Sequence, residues 1–312
     1  MTPEILTIFI LNGIFLLFGV VAFILSIKIY LGWDLNATTQ KQYKLEKQSY
    51  LTSTIIKYIL LVKLPLFLFF IFTLDKISIV LVGAMCAAGV VDATQYGIYL
   101  FVIKIINLYL FGFWLILHKL DLSSEKLPYT RLKFGIFIIA FLLFLTEIIL
   151  ETVMFSAIDP EAMVSCCGTL YSATSTSYIS LLFSLSPIII LSLFYINFIL
   201  LVISYFYKKN YLYAILNILF LIIAIVSLIV IFGTYIYELP THHCPFCFLQ
   251  KDYNYVGYFI YITLFFGTFF GLVSPFFKQY NLERISLRFI SIYILIVSYY
   301  PISYYITNGV WL

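Results

Sequence analysis

The sequence predicts an all-α polytopic integral membrane protein of about eight transmembrane helices, with both termini extracytoplasmic. Three observations predict it. First, 63% of the 312 residues are hydrophobic and 10% are charged, against about 25% charged in a soluble domain. Second, the chain divides into segments of roughly 20 apolar residues, the length that crosses a bilayer. Third, the basic residues fall in alternate loops, as the cytoplasmic loops of membrane proteins do.

The first span is expected over 5–30. Glu4 stands where a signal peptide would carry a basic residue and no small-residue cleavage site follows, so the run reads as a retained helix. The second is expected over 53–73, after a loop bearing Lys41, Lys44 and Lys47. The stretch 75–91 is apolar but short and is interrupted by Gly83, Gly89 and Asp92, which suggests a re-entrant or interfacial segment. The third span, 97–118, ends at His118, an interfacial anchor beside Lys119. The fourth is expected over 134–154. The fifth, 177–206, contains Pro187, which predicts a kink or tilt. The last three are expected over 211–236, 256–277 and 289–308. These spans use most of the length, so 1–312 reads as a single transmembrane helical domain.

Fourteen of the eighteen Lys and Arg residues fall in one alternating set of loops, and the opposite set holds only Lys76 and Lys251. The positive-inside rule makes the first set cytoplasmic and turns all five cysteines outward, to the periplasmic side of a bacterial inner membrane. The net charge of +4 is spread over short loops and no Gly-rich phosphate loop is present, so nucleic-acid binding has no support.

The cysteines occupy three stretches: Met85-Cys86, Cys166-Cys167-Gly168 and His242-His243-Cys244-Pro245-Phe246-Cys247. Cys86 to Cys166 is 80 residues and Cys166 to Cys244 is 78, about what one helix down and one back require with generous loops. Two thiols at the Cys244–Cys247 spacing can close a redox-active disulfide or grip one metal ion. His242 and His243 add imidazoles, common metal ligands and proton acceptors. Adjacent Cys166 and Cys167 bond to each other only through a strained ring, so they suit different partners or a soft metal. Five thiols also leave one over when paired, and an outward free thiol needs a reason. Soft-metal ligation by Cys86, Cys166, Cys167, Cys244, Cys247 and the two histidines supplies one, with copper or another thiophilic ion as the cofactor. The bland alternative is a set of structural disulfides in an oxidising compartment.

Charges inside the spans mark a second candidate. Glu147 and Glu151 lie one turn apart on one face of the fourth span, and Lys104 sits at similar depth in the third. Lys63 lies near the middle of the second. Intramembrane charges are costly and pair or mark a path. Lys104 and Glu147 are therefore expected to pair, either as a structural ion pair or as part of a proton or cation relay.

The segment Cys244-Pro245-Phe246-Cys247-Phe248-Leu249-Gln250-Lys251 resembles the periplasmic CxxC of DsbB-type and VKOR-type membrane thiol oxidoreductases, over about ten residues. The resemblance implies electron flow from thiols to a membrane quinone; the adjacent pair Cys166-Cys167 differs from that family's separated loop cysteines, and if the site is a thiol redox centre its catalytic thiols are Cys244, Cys247, Cys166 and Cys167. The order Cys86, Cys166-Cys167-Gly168, Cys244-x-x-Cys247 also looks like the CCG domain of heterodisulfide reductases, an iron–sulfur module with far shorter spacings.

Three functions follow as expectations. One is an outward Cys/His site that takes up, delivers or assembles a soft metal, with a periplasmic metallochaperone as partner. Another is a thiol–disulfide oxidoreductase served by quinone or a thioredoxin-like partner. The last is a non-enzymatic membrane subunit with structural disulfides. The bilayer is a partner under each.

Overall fold

The computed structural model describes residues 2–35, 37–124, 126–159, 161, 163–164, 186–277 and 280–312. Among them the structure is all-helical, and eight helices are long and apolar enough to cross a membrane. The chain divides into two compact units.

The first unit comprises residues 1–81 and 90–162. Its spans are α1 (Pro3–Gly32), α2 (Gln40–Ser78), α4 (Gly97–Leu122) and α5 (Thr130–Ala157); a short helix α3 (Ala87–Asp92) precedes α4. Pro3 opens α1 at a position whose N–H has no helical partner, and Thr39 caps α2 by accepting from the Gln42 N–H at 3.3 Å. α1 packs on α2 and α5, while α4 packs on α5 and α2, so the four close into a ring. Lipid tails are as apolar as leucine, so close packing and polar contacts hold such helices together rather than a hydrophobic drive. Trp114, Phe134, Phe137, Phe141 and Phe144 fill the centre with Ile56 and Leu60. At one end Trp114 Nε1 donates to the Lys133 carbonyl at 2.9 Å, and Lys133 pairs with Asp121 at 2.7 Å. His118 is buried there, its ring stacked on Trp114 at 5.0 Å.

α2 is longer than the expected span. Its 39 residues reach about 58 Å, nearly twice the roughly 30 Å hydrocarbon core. The helix runs on to Ser78, so the part of 75–91 expected to be re-entrant begins as its last turn.

The second unit comprises residues 82–89 and 163–312. Its spans are α6 (Pro187–Phe206), α7 (Asn210–Tyr237), α8 (Val256–Val273) and α9 (Leu282–Asn308). Pro187, expected to kink a longer fifth span, is the first residue of α6, where a ring without an N–H costs nothing. Residues 177–185 of that expected span lie outside the described residues. α6 packs on α7, α7 on α8 and α8 on α9. Phe194, Phe220, Phe232 and Tyr293 cluster at the centre with centroids 5.2–6.2 Å apart. A relay of hydroxyls ties three helices: Tyr213 Oη donates to Ser286 Oγ at 2.9 Å, and Ser286 Oγ donates to the Gly267 carbonyl at 2.6 Å. α7 contains one π-helical turn, Leu228–Phe232, a feature that recurs at functional sites.

Candidate metal centre

The site is built in the second unit, at the end of α7 and in the loop before α8. α7 stops at Glu238, which adopts the left-handed conformation at φ 54° and turns the chain back. Pro240 follows and cannot continue a helix. The loop then carries His242, His243 and Cys244 to the short 3₁₀ turn Cys247–Leu249.

Buried aromatic residues pin this loop. Phe248 is fully buried, flat against Tyr237 and tilted on Tyr261. Tyr237 sits in the centre: its Oη donates to the Cys244 carbonyl and accepts from the Phe248 N–H at 3.0 Å, closing the Cys244–Phe248 turn from both ends. Tyr261 Oη, from α8, donates to the Pro245 carbonyl at 2.6 Å. Gly257 lets the turn lie directly on α8, since a Cβ there would stand 2.5 Å from Phe248 Cδ2.

Cys86 arrives on the segment 82–89. Gly83 (φ +90°) turns this strand of chain tightly, with the Val164 carbonyl 2.5 Å from where a Cβ would stand. The Val164 N–H donates to the Val82 carbonyl at 3.0 Å, and Gln250 Nε2 donates to the Met85 carbonyl at 3.0 Å. These bonds hold Cys86 against the CxxC loop.

The outcome is a triad of sulfurs. Cys86, Cys244 and Cys247 are all buried, and their Sγ atoms lie within 4.8 Å of one another. Cys86 Sγ and Cys244 Sγ are 3.5 Å apart. A disulfide needs about 2.05 Å, and no disulfide joins the three. Three thiolates held at about 2.3 Å from one ion stand about 4.0 Å apart in a trigonal plane, or about 3.8 Å apart in a tetrahedron. The observed separations therefore fit one ion without large movement. The Phe246 N–H donates to Cys244 Sγ at 3.5 Å.

His242 and His243 flank this triad and lie outside the group of mutually close ligand atoms. His242 stands edge-on to the Tyr237 ring at 4.4 Å. His243 Nδ1 lies 3.0 Å from the Ile229 carbonyl, within the π turn of α7. A carbonyl only accepts, so Nδ1 carries the proton and Nε2 the ring's lone pair, the tautomer of metal-binding histidines. Burial holds the His243 imidazole below its usual pKa, with His242 adding to the effect against the raising contact with Ile229. Cys166, Cys167 and Gly168 lie outside the described residues.

The intramembrane charges form a second centre, in the first unit. Lys104 Nζ pairs with Glu147 Oε1 at 2.9 Å and with Glu151 Oε1 at 3.0 Å. Lys63 Nζ pairs with Glu147 Oε1 at 3.1 Å and donates to Asn12 Oδ1 at 2.9 Å. Asn12 and Asn107 donate at 2.6 Å to the outer oxygens of Glu151 and Glu147. The third face of each ammonium is covered by a ring, Phe144 at 4.5 Å from Lys63 and Phe70 at 4.2 Å from Lys104. Two cations and two anions cancel, and each is enclosed by partners, which is what low dielectric requires of buried charge. The four groups and Asn107 line a cavity of about 20 Å³, room for one water molecule.

Sequence reasoning missed Asn12, Asn107 and Tyr237. The two asparagines carried a signal: Asn107 lies one turn from Lys104, and Asn12 is an amide inside an otherwise apolar run. Tyr237 carried none, being one of 27 tyrosines. No protein-family model, curated protein or solved structure matches the chain.

Proposed function

We propose that this multi-pass membrane protein binds a soft metal ion, copper(I) foremost, at Cys86, Cys244 and Cys247, and takes part in its uptake, delivery or insertion into a cofactor. The carrying observation is the approach of three buried sulfurs, from segments 158 residues apart, to within 4.8 Å of one another. Thiolate donors select copper(I) and zinc, and zinc in structural sites takes four ligands. A triad without a carboxylate suits copper(I), which is satisfied by three. Burial keeps water and oxidants from the ion. Binding would release the thiol protons, and the cation would offset the charge left on the sulfurs. The site would face the periplasm, where a metallochaperone could exchange the ion.

The test is anaerobic titration of the purified, reduced protein with copper(I) against a competing chelator. One equivalent should bind. Replacing Cys86, Cys244 or Cys247 by serine should each weaken binding by more than the roughly 10–100-fold that loss of an outer-shell partner costs. Equal binding by the wild type and the triple-serine variant would overturn the proposal.

The 3.5 Å approach of Cys86 to Cys244 supports a second reading, thiol–disulfide exchange. Attack of the Cys86 thiolate on a Cys244–Cys247 disulfide would form Cys86–Cys244 and release the Cys247 thiolate. The two electrons and two protons released when two thiols close such a disulfide would pass to a quinone, reducing it to the quinol, as the CxxC resemblance implies. Against it stands the burial of all three sulfurs, which a partner's disulfide would have to reach. Oxidation of the reduced protein by a soluble quinone analogue, with a Cys86–Cys244 bridge found by mass spectrometry, would favour this reading over the metal site.

A further inference from the structure

Where α1 ends and α2 begins, the first unit holds a cavity of about 660 Å³, within the size range of small-molecule sites. Lys28, Leu31 and Gly32 line it from α1, and Gln40, Lys41, Lys44, Leu45 and Gln48 from α2. Buried Leu45 forms the floor; a Cβ on Gly32 would stand 3.1 Å from Leu45 Cδ1, so the two helices nearly touch beneath it. Three lysines line this space, no carboxylate does, and none of the three has an ion-pair partner among the described residues. The nearest acids in sequence, Asp34 and Glu46, are not in the lining.

Depth in the membrane narrows the ligand. From Ile5 to Ile27 α1 carries no charge, so Lys28 is its next charge after Glu4 and marks the boundary of the hydrocarbon. α2 is far longer than the bilayer core, which leaves its first turns, with Lys41 and Lys44, at headgroup level. Below the cavity, on the hydrocarbon side of Lys28, Ile24 and Ile27 lie exposed on the same side of α1 as Lys28. A positive cavity thus stands above a strip of exposed aliphatic side chains.

We propose that this cavity binds the headgroup of an anionic phospholipid, with the phosphate among Lys28, Lys41 and Lys44 and an acyl chain along Ile24 and Ile27. The amides of Gln40 and Gln48 offer hydrogen-bond donors to phosphate or headgroup oxygens. A soluble phosphate shares the lysine chemistry and makes no use of the aliphatic strip.

The experiment titrates the purified protein in detergent with dioleoyl phosphatidylglycerol or dioleoyl phosphatidylcholine and counts bound lipid by native mass spectrometry. The expected result is preferential retention of phosphatidylglycerol. Each of Lys28→Gln, Lys41→Gln and Lys44→Gln should weaken it about fivefold, and the triple variant about 100-fold. Lys44→Arg should retain binding, and Lys208→Gln, in another basic loop, should leave it unchanged. Ile24→Asn keeps all three lysines and the cavity lining and should still weaken phosphatidylglycerol binding. The lysines are exposed, so the variants should fold, and melting temperature checks that they do. Equal affinity for the two lipids, or a folded triple variant that binds like the wild type, would overturn the proposal. So would full displacement of the lipid by millimolar glycerol phosphate, which would make the cavity a soluble-phosphate site.

Discussion

At Glu147, donors from Lys63, Lys104 and Asn107 converge on one carboxylate inside the first unit. Removing that carboxylate leaves two ammonium groups with only Asn12 and Glu151 to answer them. Breaking a buried pair by deleting one partner costs about 3–5 kcal/mol, because the remaining charge stays buried. Glu147→Ala is therefore expected to lower stability by about that much, measured by denaturant unfolding in mixed micelles. Asn107→Leu loses one hydrogen bond to a charged group and should cost about 1.5–3 kcal/mol. The double variant Lys104→Met/Glu151→Gln removes one charge of each sign and should be milder than Lys104→Met alone. If Glu147→Ala unfolds at the wild-type denaturant concentration, the network does not hold this unit together. In the second unit, Tyr237→Phe deletes the hydroxyl that joins the Cys244 carbonyl to the Phe248 N–H. With the fold intact, copper(I) affinity should fall about 10–100-fold, the range for outer-shell partners. Unchanged affinity would mean that the sulfurs are positioned without it.

Among the elements, the 3₁₀ turn Cys247–Leu249 and the start of α8 are the pair on which the sulfur triad depends. Gly257→Ala places a methyl 2.5 Å from Phe248 Cδ2 and 2.8 Å from Leu249 Cδ2. Both side chains are buried, so the turn has to move. Overpacking of this kind costs about 1–3 kcal/mol. The displaced Cys247 should also bind metal less tightly. Gly13 of α1 is the control: nothing lies within 4 Å of its added Cβ. Gly13→Ala should be neutral, or stabilising by about 0.5–1 kcal/mol through helix propensity alone. Comparing the two by thermal melting and metal titration separates crowding at the site from a general effect of glycine. Equal responses would show that the contact between turn and α8 is not what places Cys247.

For the whole molecule, the metal and the fold are linked. If the native state alone binds copper(I), a free concentration about 100 times the dissociation constant stabilises it by about 2.7 kcal/mol. Melting temperature should rise with free copper(I) in the wild type and not in a Cys86→Ser/Cys244→Ser/Cys247→Ser variant; a rise in both would place the ion elsewhere. Sidedness is the other molecular property at stake. Single cysteines introduced at Ser124 and at Thr241, in a background without native cysteines, should react with an impermeant maleimide from opposite faces. Ser124 should be cytoplasmic, because its loop belongs to the basic set. Labelling of both from one face would end the periplasmic assignment of the site.

The number and order of spans were legible in the sequence, because a helix that must cross about 30 Å of hydrocarbon announces itself by length and composition. So was the pairing partner of Lys104, because matched depth and the cost of lone charge leave few choices. The Cys244–Cys247 spacing also spoke for itself, being local. What the sequence did not hold was the company these residues keep. No neighbouring cysteine or histidine singles out Cys86 in the sequence, and it sits 3.5 Å from Cys244 because Gly83 and Gln250 turn and tether its segment. His242 and His243 adjoin Cys244 in sequence, yet the loop's path gives them to Tyr237 and to the π turn of α7. The extension of α2 and its lysine-lined cavity were invisible too, since they depend on how far the helix continues past its apolar part. Composition and period report what a residue needs from its surroundings, water or lipid. Which distant residue meets that need is decided by helix packing and loop turns, and only the tertiary structure contains them.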